Sequence, residues 1–202
     1  MKLWHSPMSP FVRKCMVFAH EVGIAEKIEL LDAAAHPINR DERIVETNPL
    51  GKVPTMVLED GSPIFDSRVI CSYLDTQHDV DSLYPANEQR FDALVCEALG
   101  DGLMDAAVAS RYEGFVRPEE KQWDKWIEGQ FKKIGSGLDY LETWKGARLE
   151  EVNIGSISVI VALGYLDFRH SEYDWRANHP YLSGVYANWT KRPSMVATNP
   201  DN

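Results

Sequence analysis

The first part of the chain changes its hydrophobic period several times. Apolar residues alternate or run together in short segments, and between them they recur at three and four residues. Short alternating runs indicate strands, and the longer spacing indicates helices. The pattern predicts a strand at 2–5, a helix at 10–22 and a second strand at 28–31. A β-hairpin at 55–65 and a helix at 68–74 follow. Asp60-Gly61 lies at the middle of the hairpin, where a tight turn favours this pair.

Both predicted helices begin at residues suited to capping. Ser9 precedes Pro10, which fits an N-cap followed by proline at the first helical position. Asp66 or Ser67 is the expected N-cap of the helix that follows the hairpin. Pro54 opens the first hairpin strand, where a residue without an N–H fits an edge or a bend, and a cis bond from Val53 would suit it.

The rest of the chain has only helical periodicity. After a polar, turn-rich stretch near 77–86, apolar residues predict one long helix from about Phe91 to about Arg111. Pro118-Glu119-Glu120 is typical of another helix start. An apolar segment at 154–166 is expected as a buried helix, with Asn153 and Ser156 as an imperfect capping box that weakens its start. A closing helix is expected at about 180–189.

Composition limits the class of protein. The 202 residues carry a net charge of −10 without a basic block, which argues against a nucleic-acid partner. No apolar run is long enough for a membrane span and no signal peptide opens the chain, so we expect a soluble cytoplasmic protein without a membrane partner. Three cysteines within apolar helical patterns predict core packing, with neither a disulfide framework nor a metal site.

Two segments carry a family resemblance. Asn48-Pro49-Leu50-Gly51-Lys52-Val53-Pro54-Thr55, followed across the hairpin by Phe65-Asp66-Ser67-Arg68, resembles the glutathione-binding half of cytosolic glutathione transferases. Ser9-Pro10-Phe11-Val12 stands where thioredoxin-like relatives place Cys-Pro-x-x, which resembles a bacterial, serine-type member. The resemblance covers almost the whole chain. It implies a thioredoxin-like domain at 1–78, a linker at 79–86 and an all-helical domain at 87–202.

The same resemblance implies a set of site residues. Val53 would offer its main chain to the cysteinyl part of glutathione, and Asp66 with Ser67 would hold the γ-glutamyl end. The remaining implied glutathione contacts are Phe11 and Lys52, with His36 as a further cation for the glycyl carboxylate. For the electrophile, a pocket is expected between the Ser6 to Phe11 loop and the long helix, with Met104, Val108, Arg111 and Tyr112 as its candidates.

Ser9 is the candidate catalytic residue. A serine hydroxyl cannot exchange disulfides, but it can donate a hydrogen bond that favours the glutathione thiolate over the thiol. Two alternatives stay open at this stage: Ser9 is only an N-cap, or Ser6 activates the thiol.

The implied activity is glutathione transfer to small hydrophobic electrophiles by a homodimer, with glutathione as co-substrate and no metal. Two rival functions remain. One is a glutathione-dependent isomerase or dehalogenase, and the other is a non-catalytic interaction module, because a fold alone does not fix function.

Overall fold

The computed structural model describes residues 1–86 and 88–200. They form two compact units, one containing Met1–Tyr84 with the segment from Arg192 onward, and the other containing Pro85–Lys191.

The first unit contains a four-stranded mixed sheet. Its strands are β1 (Lys2–His5), β2 (Glu29–Asp32), β3 (Thr55–Val57) and β4 (Pro63–Ile64), in the order β2-β1-β3-β4. β1 runs parallel to β2 and antiparallel to β3, which pairs with β4 as a hairpin. Three helices of this unit lie before Tyr84 in the chain: α1 (Pro10–Glu21), α2 (Glu42–Val45) and α3 (Ser67–Leu74). This is the expected thioredoxin-like arrangement.

The predicted helix ends are confirmed in this unit. Ser9 Oγ accepts a hydrogen bond from the Val12 N–H at 3.3 Å, and Pro10 takes the first helical position of α1. Gly23 follows α1 with φ of 73°, a left-handed conformation that glycine adopts without steric cost. Asp66, rather than Ser67, caps α3 by accepting from the Arg68 N–H at 3.1 Å.

The second unit is helical throughout its described residues. Its helices are α4 (Gln89–Phe115), α5 (Asp124–Thr143), α6 (Ile154–Arg169) and α7 (Pro180–Trp189). Short 3₁₀ turns lie at Glu119–Lys121, Lys145–Ala147 and Trp175–Asn178. No helix in the part of the chain described is both long and apolar enough to cross a bilayer.

α6 forms the buried centre of this unit and packs against α4. All residues from Ile154 to Leu166 are buried. The two helices approach closely at two glycines: a Cβ on Gly100 would lie 2.5 Å from the Ser158 backbone, and one on Gly155 would lie 2.6 Å from the Ala93 carbonyl oxygen. The absence of side chains at these two positions therefore sets the separation of the helices.

The start of α6 is better formed than its sequence suggests. Asn153 Oδ1 accepts from the Gly155 and Ser156 N–H groups, and Ser156 Oγ accepts from the Asn153 N–H at 3.0 Å. Both bonds of a capping box are present. The box is therefore complete in geometry, because the Ser156 hydroxyl reaches back as the longer acidic side chain of the usual box would.

The start of α5 also differs from the prediction. The helix begins at Asp124, and Pro118-Glu119-Glu120 leads only into a 3₁₀ turn. The buried Glu113 carboxylate accepts from the Trp123 N–H at 3.0 Å. Gln122 donates to the carbonyl oxygens of Gly114 and Arg117. These bonds fold the connection back onto the end of α4, so that α5 begins at Asp124 and not at Pro118.

The last helix, α8 (Pro193–Ala197), belongs to the first unit and packs on α1. The structure thus departs from the predicted 87–202 domain at its end. Arg192 donates two hydrogen bonds to the Glu21 carboxylate, at 2.8 and 2.6 Å, and Ser194 donates a third. Burial opposes ionisation of Glu21, but these donors outweigh it and hold its pKa below the ordinary value.

Candidate functional site

The register of the sheet gathers the predicted glutathione residues at one end. β1 pairs Trp4 with Thr55, and β3 pairs Met56 with Ile64. β1 and β4 therefore end, and β3 begins, at the same end of the sheet. The loop before α1, the segment before β3 and the start of α3 therefore meet at this end of the first unit.

Val53 presents an open main chain. Its peptide bond to Pro54 is cis, and the residue lies just before β3, half-buried. Across residues 1–86 and 88–200, neither the N–H nor the C=O of Val53 hydrogen-bonds to the protein. Buried or partly buried main-chain groups are nearly always paired, so this residue has the donor and acceptor that an added peptide strand requires.

Asn48 fixes the segment that carries Val53. Its side chain is almost fully buried, donates to the Lys52 carbonyl at 3.2 Å and to Thr55 Oγ1 at 2.8 Å, and accepts from the Leu50 N–H at 3.0 Å. Thr55 Oγ1 in turn donates to the Lys52 carbonyl at 2.8 Å. These four bonds hold the loop in one conformation. The sequence motif contained Asn48, but its supporting role was not predicted.

Asp66 and Ser67 occupy the start of α3. The Asp66 carboxylate is about half-exposed and receives the Arg68 guanidinium at 2.7 Å; this hydrogen bond holds the pKa of Asp66 below its usual value, against the effect of burial. The carboxylate is therefore ionised at neutral pH and can accept an ammonium group.

Ser67 offers a hydroxyl beside that carboxylate. The residue is only 2% exposed, and its Oγ makes no hydrogen bond to any described part of the protein. A hydroxyl without a protein partner at the positive end of a helix is suited to a ligand carboxylate. Arg68, which sequence reasoning did not single out, adds a guanidinium to the same helix start.

Ser9 is the last residue of the loop before α1 and forms the N-cap of that helix. The residue is half-buried, and its oxygen accepts from the Val12 N–H while its backbone N–H donates to the Ser6 carbonyl at 3.0 Å. Accepting that bond leaves the hydroxyl hydrogen able to point outward, and accepting and donating bonds strengthen each other. N-cap and thiol-activating roles for Ser9 are therefore compatible.

The other residues predicted to contact glutathione show fewer features of a binding site. Phe11 is half-buried on the first turn of α1, and Lys52 is exposed next to Val53. His36 uses Nδ1 to accept from the N–H groups of Ile38 and Asn39, at 3.2 and 3.0 Å, so it organises its own loop.

The electrophile candidates lie on α4 in the second unit. Met104 is fully buried, which favours a packing role. Val108 and Arg111 are half-buried, and Tyr112 is 38% exposed. The Arg111 guanidinium stacks over the Phe115 ring at 4.6 Å.

Comparison with known proteins agrees with this geometry. Residues 8–77 match the model of the glutathione S-transferase N-terminal domain. The chain is 34% identical to the GST-like protein YibF of Escherichia coli K12, in an alignment that covers 99% of this chain and 98% of YibF. The chain belongs to the glutathione S-transferase family.

Solved structures of family members are similar along the whole chain. A glutathione transferase family member from Pseudomonas fluorescens Pf-5, with bound glutathione, is 44% identical with a TM-score of 0.96, and the match covers 98% of each chain. A second structure from that organism contains S-(propanoic acid)-glutathione; it is 43% identical over 98% of each chain, with a TM-score of 0.91.

Proposed function

We propose that this family member is a cytoplasmic glutathione transferase of the serine type, with Ser9 as the residue that activates the thiol. The observation that carries the proposal is the open main chain of Val53, which lies at the same sheet end as the Asp66-Ser67 helix start. Val53 would pair with the cysteinyl residue of glutathione, Asp66 would accept its ammonium, and Ser67 would donate to its α-carboxylate. Phe11 and Lys52 complete the proposed contacts.

Ser9 would act by donating its hydroxyl hydrogen to the glutathione sulfur. This bond favours the thiolate, and the thiol proton passes to solvent. The thiolate then attacks an electrophilic carbon. In aromatic substitution a carbon–sulfur bond forms and chloride departs with the electron pair of its bond; in conjugate addition the new carbanion takes a proton from water.

One solved relative contains a glutathione thioether. The second Pseudomonas fluorescens structure contains a glutathione whose sulfur bears a propanoic acid group, which is the form of a conjugation product. We place the electrophile-binding surface on α4, at Val108, Arg111 and Tyr112, and assign Met104 to its buried side.

Replacement of Ser9 by alanine is expected to raise the pKa of bound glutathione and to slow turnover of a model aryl halide about 5- to 30-fold. The reason is the loss of roughly 1–2 kcal/mol of thiolate stabilisation from one hydrogen bond to a charged atom. Titration of the ultraviolet absorbance of the bound thiolate measures the pKa, and steady-state rates measure turnover.

Ser6→Ala is the matched control for that experiment, since Ser6 lies in the same loop and caps no helix. We expect its titration to coincide with that of the wild type. If Ser6→Ala raises the thiol pKa and Ser9→Ala does not, then Ser6 is the activating residue and Ser9 is only a cap.

Asp66→Asn and Ser67→Ala are each expected to weaken glutathione binding by roughly 1.5–3 kcal/mol, as measured by calorimetry. Asparagine is as good an N-cap as aspartate, so Asp66→Asn removes the charge without removing the helix cap. Asp60→Asn, in the hairpin turn of the same unit, removes an exposed carboxylate and should leave the affinity unchanged. Wild-type affinity in both site variants would show that the γ-glutamyl group binds elsewhere.

We also propose that the protein is a homodimer, as the family resemblance implied. The sedimentation mass at micromolar concentration should be twice the 22.9 kDa of one chain. A mass of one chain would contradict this proposal without affecting the proposed glutathione site.

A further inference from the structure

The carboxyl ends of α4 and α6 bring two arginines together within the helical unit. His170, the C-cap of α6, is buried and donates from Nε2 to the Ala107 carbonyl oxygen of α4 at 3.0 Å. Arg111 lies one turn after Ala107, and Arg169 is adjacent to His170. The His170 hydrogen bond therefore fixes both arginines near the same point between the helix ends.

Electrostatic effects agree with this placement. Burial lowers the pKa of His170, and both Arg111 and Arg169 lower it further, whereas Glu172 and the Ala107 hydrogen bond raise it. Burial raises the pKa of Tyr165 to about 12, an effect that the charges of the same two arginines oppose. The two arginines thus lie close enough to His170 to act on its charge, in a protein with a net charge of −10.

Both guanidinium groups lie against aromatic rings. Arg111 stacks over Phe115 at 4.6 Å, and Arg169 stacks over Phe168 at 4.1 Å. Stacking orients the plane of the Arg111 guanidinium and leaves its edge N–H groups available for a bidentate acceptor, whereas Arg169 already hydrogen-bonds to Tyr165. Among the residues described, none of the ion pairs includes Arg111, and the Phe115 ring beside it is 63% exposed.

We propose that Arg111 and Arg169 form a carboxylate-binding subsite, and that the electrophiles of this enzyme are small planar acids, either aryl acids or conjugated acids. The inference rests on the proposed transferase function and names its substrate class. Arg111 would bind the carboxylate through its N–H edge, and Arg169, held by its hydrogen bond to Tyr165, would supply the second charge. The exposed Phe115 ring would contact the planar part of the substrate.

The kinetic test uses a pair of substrates of nearly the same shape, one an anion and the other neutral. We expect glutathione transfer to para-chloro-meta-nitrobenzoate to lose about 10- to 100-fold in kcat/KM in Arg111→Gln, the usual effect of losing a hydrogen bond to a charged group. Transfer to the neutral amide, para-chloro-meta-nitrobenzamide, should change less than about twofold, because it makes no ion pair. Arg169→Gln should behave in the same way. Arg111→Lys should lose less activity than Arg111→Gln, because lysine keeps the positive charge but lacks the paired N–H donors of a guanidinium.

Lys132→Gln is the matched control, because it removes an exposed positive charge from α5 of the same unit. It should alter neither substrate. Equal losses for acid and amide in Arg111→Gln, or unchanged rates for the acid in both arginine variants, would overturn the proposal.

A binding measurement separates this inference from the proposed function. Calorimetric titration of the unreactive acid meta-nitrobenzoate into the glutathione-free protein should give a dissociation constant that rises about tenfold or more in Arg111→Gln and is unchanged in Lys132→Gln. If neither aryl chloride is turned over but this difference remains, the subsite stands and the transferase proposal fails. If turnover is normal and the acid binds equally well to all variants, the subsite is refuted.

Discussion

Gly100→Ala is expected to lower the free energy of unfolding by about 3 kcal/mol, within the range for overpacking in a closely packed core. The new Cβ would lie 2.5 Å from the Ser158 carbonyl carbon and 2.6 Å from the Val159 nitrogen. These are backbone atoms within α6, so no side-chain rotation relieves the contact. The helices must separate, which weakens the packing of the most buried element of the unit.

Gly102→Ala provides the control for this prediction. Gly102 lies two residues further along α4, is exposed, and would have no atom within 4 Å of its Cβ. Alanine is the better helix former, so this variant should gain about 0.5–1 kcal/mol. Urea denaturation followed by circular dichroism measures both changes. Equal stability of the two variants would mean that α4 and α6 are not in backbone contact at Gly100.

Asn48→Ala is expected to cost about 3 kcal/mol of stability, since it removes three side-chain hydrogen bonds at roughly 1 kcal/mol each. The loss includes an acceptor for the Leu50 N–H and a donor for the Lys52 carbonyl, which flank the segment leading to Val53. Glutathione affinity should therefore fall together with stability, although Asn48 is not proposed to touch the ligand.

Asn39→Ala is the matched substitution, because Asn39 is exposed and its backbone N–H, not its side chain, makes the bond to His36. We expect wild-type melting and wild-type glutathione affinity for this control. If Asn48→Ala is destabilised but binds glutathione normally in the folded state, the buried amide supports the fold without positioning Val53.

The sequence was sufficient where the determining interactions are local. The caps at Ser9 and Asp66 and the hairpin at Asp60-Gly61 each depend on residues within a few positions of one another, and all are present. The site segments were predicted as a set from the resemblance to glutathione transferases, whereas hydrophobic patterning predicted only the strands and helices that carry them.

The differences come from contacts between distant residues or from side chains that return to the backbone. The Glu113 carboxylate accepts a hydrogen bond from the Trp123 N–H, so α5 begins later in the chain than predicted. No residue near Pro118 indicates this contact. The short helix α2 was not predicted, since four residues are too few to carry a period. The arginine pair at the ends of α4 and α6 depends on a hydrogen bond from His170 to Ala107, 63 residues apart, and periodicity carries no information about such a pairing.

Arg192 and Ser194 donate hydrogen bonds to Glu21, and α8 thereby packs on α1. The sheet-containing unit is therefore made of two separate segments of the chain. In topological terms the helical unit is an insertion between its two parts, so a fragment ending at Tyr84 would lack α8 and would leave the largely buried Glu21 carboxylate without its donors. During synthesis the first unit must wait for residues 85–191 before its last helix exists, a delay of roughly 5–20 s at usual elongation rates. The helical unit is thus the one that can complete its fold first, although its residues are made second.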